Sequence, residues 1–141
     1  MSSLLWGTIV KDHALGVALS VVGFSHQDTA YDIRSSWSLN TEQLPQTYTH
    51  LQTELPNDEH LILATCNRLE IYSTHVNTAS LKQLIIQHLE HLNGSPQLQP
   101  NFYSASDCEA LNHMMCVAAG LKSLIIFSIS FIISSLLIVS N

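Results

Sequence analysis

The chain has 141 residues, a formal net charge of −6 and 11% charged residues, enough length for one domain with a real core plus appendages and too little for two ordinary domains. Its basic residues, Lys11, Arg34, Arg68, Lys82 and Lys122, are scattered, which excludes a phosphate-binding platform built on clustered cations. Three cysteines, Cys66, Cys108 and Cys116, without CxxC spacing argue against a disulfide framework and for a reducing, cytoplasmic setting.

Residues 1–17 read as an N-terminal extension: no basic n-region precedes the apolar run, and Lys11-Asp12-His13 interrupts it. The segment "ALSVVGF" (18–24) predicts a buried strand that ends at a polar cluster. "SHQDTAYDIRSSWSLN" predicts a loop holding a short helical turn. Leu44, Tyr48, Leu51 and Leu55 recur at helical spacing, with Pro45 in the first turn and Pro56 as the stop. Two short strands follow, near 60–65 and 69–74, around a tight polar loop that lifts the thiol of Cys66 to the rim of a sheet.

Leu81, Leu84, Ile85, Leu89 and Leu92 mark an amphipathic helix entered at Thr78 and closed by Asn93-Gly94. "QPNFYS" predicts a last short strand. Ser106 with Glu109 forms a capping-box pattern for a helix toward Gly120, with Leu111, Met114, Met115, Ala118 and Leu121 on one face and His113 away from it. The order predicts an α+β, ferredoxin-like sandwich: a small antiparallel sheet with helices on one face. From Leu124 to Val139 the chain is uncharged; as a helix it would rise about 24 Å, short of the roughly 30 Å of bilayer hydrocarbon. A C-terminal apolar helix contacting a membrane competes here with a buried helix or an unrelated tail.

Three sites carry possible chemistry. Cys66 sits among Thr65, Asn67 and Arg68, and a guanidinium near a thiol favours the attacking thiolate or else holds a substrate carboxylate. Against this stands the ordinary reading of a small buried apolar side chain. His113 and His26 compete with idle solvated histidines. His88 and His91 stand at i, i+3 on one helix, but no third ligand is in evidence, so no metal site is expected.

The strings "GFSHQDTAYDIR", "ATCNRLEIY" and "ALNHMMCVAAGLKS" resemble, in order and spacing, the N-terminal catalytic domain of glutamyl-tRNA reductase over residues 18–123. The resemblance implies that Cys66 attacks the ester of glutamyl-tRNA to form a thioester, which NADPH reduces to glutamate-1-semialdehyde, the first committed step of tetrapyrrole synthesis. It implies substrate contacts by Thr65, Cys66, Asn67, Arg68 and Ser123, and activity dependent on His113. The chain departs from the family at Ser25 (commonly Asn), Ser35 (commonly acidic), Cys116 (commonly Arg) and Lys122 (commonly Asp). Family members continue into an NADPH-binding Rossmann domain and a dimerisation domain, whereas this sequence runs from Ser123 into the uncharged tail and has no GxGxxG. The expectation is a truncated reductase without its own NADPH site, organised as 1–17, 18–123 and 124–141. The alternative is a non-catalytic, membrane-anchored fragment or pseudogene product.

Overall fold

A computed structural model describes residues 18–122; the expectations for residues 1–17, for Ser123 and for the apolar tail lie outside the described residues. The chain divides into two compact units, residues 1–110 and 111–141. In the first, the elements run β1 (Ser20–Ser25), α1 (Tyr31–Trp37), α2 (Gln43–Glu54), β2 (His60–Ala64), β3 (Arg68–Ser73), α3 (Thr78–Leu92) and β4 (Tyr103–Ser106); α4 (Asp107–Ala118) then spans the division.

The four strands form one antiparallel sheet in the order β2-β3-β1-β4. Because β3 separates β1 from β2, and β1 separates β3 from β4, the two helical crossovers interleave and place their helices over the middle of the sheet. Val22 and Phe24 of β1 and Leu69 and Ile71 of β3 project to that side, where they meet Trp37, Leu51, Leu81, Ile85 and Leu89. Burying each such side chain contributes roughly 1.5–3 kcal/mol, so this layer supplies most of the drive to fold.

Local chemistry fixes the helix ends. The Asn40 side chain accepts from the backbone N–H groups of Glu42 and Gln43, while the Gln43 side chain accepts from the Asn40 N–H, a reciprocal box that starts α2. In α3, Asn77 Oδ1 accepts from Ser80 N at 3.0 Å. That helix stops where Gly94 takes a φ of 70°, a left-handed conformation that costs glycine little.

The opposite side of the two central strands is closed to solvent as well. Every residue of β1 and β3 is buried, including Arg68, Glu70 and Tyr72. Gly23 stands opposite both Glu70 and Tyr103 in the ladders. A Cβ there would fall 2.9 Å from Glu70 Cγ and would also meet the Leu69 carbonyl oxygen. Glycine at 23 therefore leaves the space over β1 in which the Glu70 side chain lies.

Two expectations need correction. The segment predicted as a loop with a single turn is the helix α1, and its Trp37 is fully buried, with Nε1 donating to the Leu98 carbonyl and the ring edge-on to Phe102. A buried indole whose N–H is satisfied is a core anchor. In α4 the predicted apolar face is not a core face: Leu111, Met115 and, just beyond, Leu121 are exposed, and Ala110 is the buried residue. Periodicity reports which side of a helix is apolar and not whether another element covers it.

Candidate active site

The hairpin between β2 and β3 has a two-residue tip, Cys66-Asn67. Thr65 sets it: its backbone N–H donates to the Arg68 carbonyl at 2.9 Å, and its hydroxyl accepts from the N–H groups of Asn67 and Arg68. A second brace comes from the end of β1, where the His26 N–H donates to the Asn67 carbonyl at 2.8 Å. Held from both sides, the tip leaves Cys66 exposed. The thiol stands at the rim of the sheet, as the alternation around it predicts.

Cys66 borders a cavity of about 380 Å3 within the first unit. One wall is apolar, from Phe24, Leu39 and Leu69. Across from the hairpin, α1 and its C-terminal end supply Tyr31, Arg34, Ser35 and Ser38. The Ser35 and Ser38 hydroxyls donate to the carbonyls of Asp32 and Ser35, so each keeps lone pairs for an incoming donor.

Arg68 also lines the cavity, and its charge is already answered. Its Nη1 lies 2.8 Å from Glu70 Oε1, and the Glu70 side chain has no exposure at all. The same carboxylate accepts from the Tyr72 hydroxyl at 2.7 Å and from the Tyr103 hydroxyl. Burial, and then the hydrogen bond to Glu70, push both phenols well above the usual tyrosine range, so they remain donors at any working pH. The result is a satisfied polar cluster beneath the hairpin that fixes where the Arg68 guanidinium sits.

His26 is held next to this cluster, its basicity lowered by burial and then by the Arg68 cation, and its Nδ1 is buried without a hydrogen-bond partner. His113 lies in the second unit, where its Nδ1 is 2.9 Å from Lys122 Nζ. The structure thus brings Thr65, Cys66, Asn67 and Arg68 together with His26, and places His113 in the other unit. Tyr31, Arg34, Ser35 and Ser38 line the cavity without having been expected to; their sequence signal was the string "GFSHQDTAYDIR", which holds Tyr31 and Arg34 and ends just before Ser35.

A pair of histidines, His50 of α2 and His88 of α3, forms a separate feature. The His50 and His88 rings stack at 4.2 Å with planes 7° apart, and His88 Nε2 is 3.0 Å from Thr47 Oγ1. Parallel rings aim their nitrogen lone pairs in parallel planes, so they do not converge on one ion. Among the described residues no group of three potential ligands is placed to hold a metal.

The described residues thus present one exposed thiol on a braced hairpin beside a cavity that two guanidinium groups also line. Residues 22–128 match the family described as "Glutamyl-tRNAGlu reductase, N-terminal domain", and the chain belongs to that family. It is 35% identical over 112 residues to the glutamyl-tRNA reductase of Prochlorococcus marinus (strain MIT 9211), covering 77% of this chain and 25% of that protein. It is 34% identical over 111 residues to the one from Xylella fastidiosa (strain M12), covering 78% and 24%. The solved glutamyl-tRNA reductase from Methanopyrus kandleri shares the fold at a TM-score of 0.56 and 19% identity, over 75% of this chain and 23% of that one. The chain therefore spans about a quarter of the length of the relatives it matches.

Proposed function

We propose that this chain is the acyl-accepting domain of a glutamyl-tRNA reductase. The Cys66 thiolate attacks the ester carbonyl carbon of glutamyl-tRNA, the bond from that carbon to the ribose oxygen breaks, and the tRNA leaves with a proton on that oxygen. A thioester has weaker resonance stabilisation than an ester, so it is the better hydride acceptor. In the whole family reaction NADPH supplies that hydride and glutamate-1-semialdehyde is released toward tetrapyrrole synthesis. Thr65 and Asn67 shape the hairpin tip that presents the sulfur. His113 and Ser123 are assigned by family likeness, as the histidine needed for activity and as a substrate contact.

The observation that carries this reading is the exposed thiol of Cys66 on a doubly braced hairpin at the edge of a 380 Å3 cavity that two guanidinium groups also line. The test is to incubate the chain with glutamyl-tRNA, quench in acid and weigh the protein. The reading predicts a glutamyl adduct on Cys66 that hydroxylamine removes and Cys66→Ala abolishes. Deacylation at the same rate in the presence of wild type and Cys66→Ala, with no adduct in either, would sink it. Membrane contact through residues 124–139 is tested separately by carbonate extraction, a true anchor remaining in the pellet.

A further inference from the structure

Asp58, His75 and Ser80 stand in line at the end of the sheet away from Cys66. Asp58 Oδ2 lies 2.8 Å from His75 Nδ1, and the other ring nitrogen, Nε2, lies 3.1 Å from Ser80 Oγ. Asp58 precedes β2 and His75 follows β3, whereas Cys66 sits in the loop that joins the other ends of these strands. The rise of five extended residues, about 17 Å, separates the two places. The chemistry assigned to Cys66 uses none of the three.

Strand pairing and the start of α3 bring them together. Past the last ladder pair, His60 with Ser73, the Thr74 N–H donates to the Glu59 carbonyl at 3.1 Å and the Glu59 N–H donates to the Thr74 hydroxyl at 2.9 Å. This clamp sets Asp58 across from His75. The His75 backbone is held at both ends, its N–H donating to Ser73 Oγ at 3.1 Å and its carbonyl accepting from Ser20 Oγ at 2.9 Å. Asn77 caps α3 through the Ser80 N–H and so fixes the turn from which Ser80 projects. The Asp58 and His75 side chains are each 21% exposed and Ser80 is open to solvent, so the carboxylate and the imidazole are sheltered and the hydroxyl is reachable.

The order of the groups fixes the protons. An ionised carboxylate only accepts, so Nδ1 carries the hydrogen in its bond to Asp58, and Nε2 of the neutral ring is left as an acceptor facing the Ser80 hydroxyl. That hydroxyl hydrogen has one other acceptor, the Asn77 carbonyl at 3.0 Å, and rotation about the Cβ–Oγ bond moves it between the two. These are the relations of carboxylate, base and nucleophile that activate a serine on unrelated folds. The N–H groups of Thr78 and Ala79, the first two of α3, have no acceptor within the helix and belong to the same positively polarised turn as Ser80.

We propose that Ser80 is a second nucleophile of this chain, activated by His75 and Asp58, and that it hydrolyses short, uncharged acyl esters. Oγ bonds to the acyl carbon as its hydrogen passes to His75 Nε2; the ester C–O bond breaks, and the leaving oxygen takes that hydrogen. Water then adds to the acyl carbon and gives a proton to Nε2, and the carboxylic acid departs as Oγ recovers the proton. Asp58 is a positioning residue that keeps the hydrogen on Nδ1. Val76, 79% exposed and next to His75 in the chain, suits a small apolar acyl group, and the net charge of −6 disfavours an anionic one.

The test uses the full chain carrying Cys66→Ala, which removes the thiol of the first site, with p-nitrophenyl acetate as substrate and an alkyl fluorophosphonate as label. The label should map by peptide mass to Ser80, and both label and turnover should vanish in Ser80→Ala. His75→Gln, checked for folding by its urea midpoint, should slow both by about a hundredfold. Asp58→Asn presents a donor to Nδ1 and favours the wrong tautomer, so it should lower kcat without raising KM. No label on Ser80 in the folded parent overturns the proposal, as does a label without turnover. Labelling and turnover that stay at the parental rate in folded His75→Gln overturn it too, and so does an unchanged kcat in Asp58→Asn, since the hydrogen bonds would then serve only to tie β3 to α3.

Discussion

The two faces of β3 do different work in one six-residue strand. Leu69 and Ile71 point into the layer of Phe24, Leu81, Ile85 and Leu89, where apolar contact is non-directional and a neighbour of similar volume would serve. Arg68, Glu70 and Tyr72 point the other way, into directional contacts on the Glu70 carboxylate, where a change of one atom leaves a buried group short of a partner. The apolar face determines that the sheet forms; the polar face determines where the first residue after the hairpin tip is held. Stability and site geometry should therefore separate by face.

Removing Glu70 tests that separation most severely. Glu70→Ala leaves the Arg68 guanidinium buried without its carboxylate and strips two tyrosine hydroxyls of their acceptor, and about 3–5 kcal/mol of stability should be lost in a urea titration. The surviving folded fraction should also acylate more slowly at Cys66, because Arg68 is no longer anchored. Leu89→Ala, on the other face, should cost about 3 kcal/mol through the cavity it leaves in a fully buried site. Its acylation rate per folded molecule should match wild type. If Leu89→Ala slows acylation as much as Glu70→Ala does, the two faces are not separable. Tyr103→Phe removes one donor while keeping the ring, and about 2 kcal/mol is expected, with little change at Cys66 because Arg68 and Tyr72 still hold the carboxylate.

The same contrast explains what could be read from the chain beforehand. The helix α3 was legible almost to the residue because five aliphatic side chains repeat at helical spacing and a glycine able to take positive φ closes it. The Cys66 hairpin was legible because two apolar alternations flank four polar residues. The polar side of β3 was not: alternation with Arg68, Glu70 and Tyr72 looks the same whether those residues meet water or each other. Burial there depends on Gly23 and Tyr103, 47 and 33 positions away from Glu70 in sequence and adjacent only after strand pairing. The helix around Arg34 was hidden for a related reason, since the seven-residue α1 is fixed by Trp37 reaching Phe102 and the Leu98 carbonyl, not by its own propensity.

The stacked histidines give the smallest effect and one that should leave the site untouched. Burial, and then the neighbouring His50 and His91, lower the basicity of His88 to a pKa of about 4, against 6.5 for a free imidazole. Between those values the unfolded chain binds a proton at this position that the folded chain refuses, so stability must rise with pH across the window. Above 6.5 the contribution is fully present; as the pH falls toward 4 it is lost, and below 4 both states are protonated and this slope ends. The ring is only half-buried, so solvent screening reduces the loss to about 1–2 kcal/mol. His88→Gln, which keeps a donor for Thr47 Oγ1, should flatten the dependence of the urea midpoint between pH 6.5 and 4. The rate of acylation at Cys66 at pH 7 should stay at the wild-type value. A midpoint that falls equally steeply in His88→Gln would assign the acid sensitivity to another group, with His26 beside the Cys66 hairpin next in line, since burial and Arg68 lower its basicity too. In that event the hairpin itself would loosen on acidification, and acylation and stability would decline together.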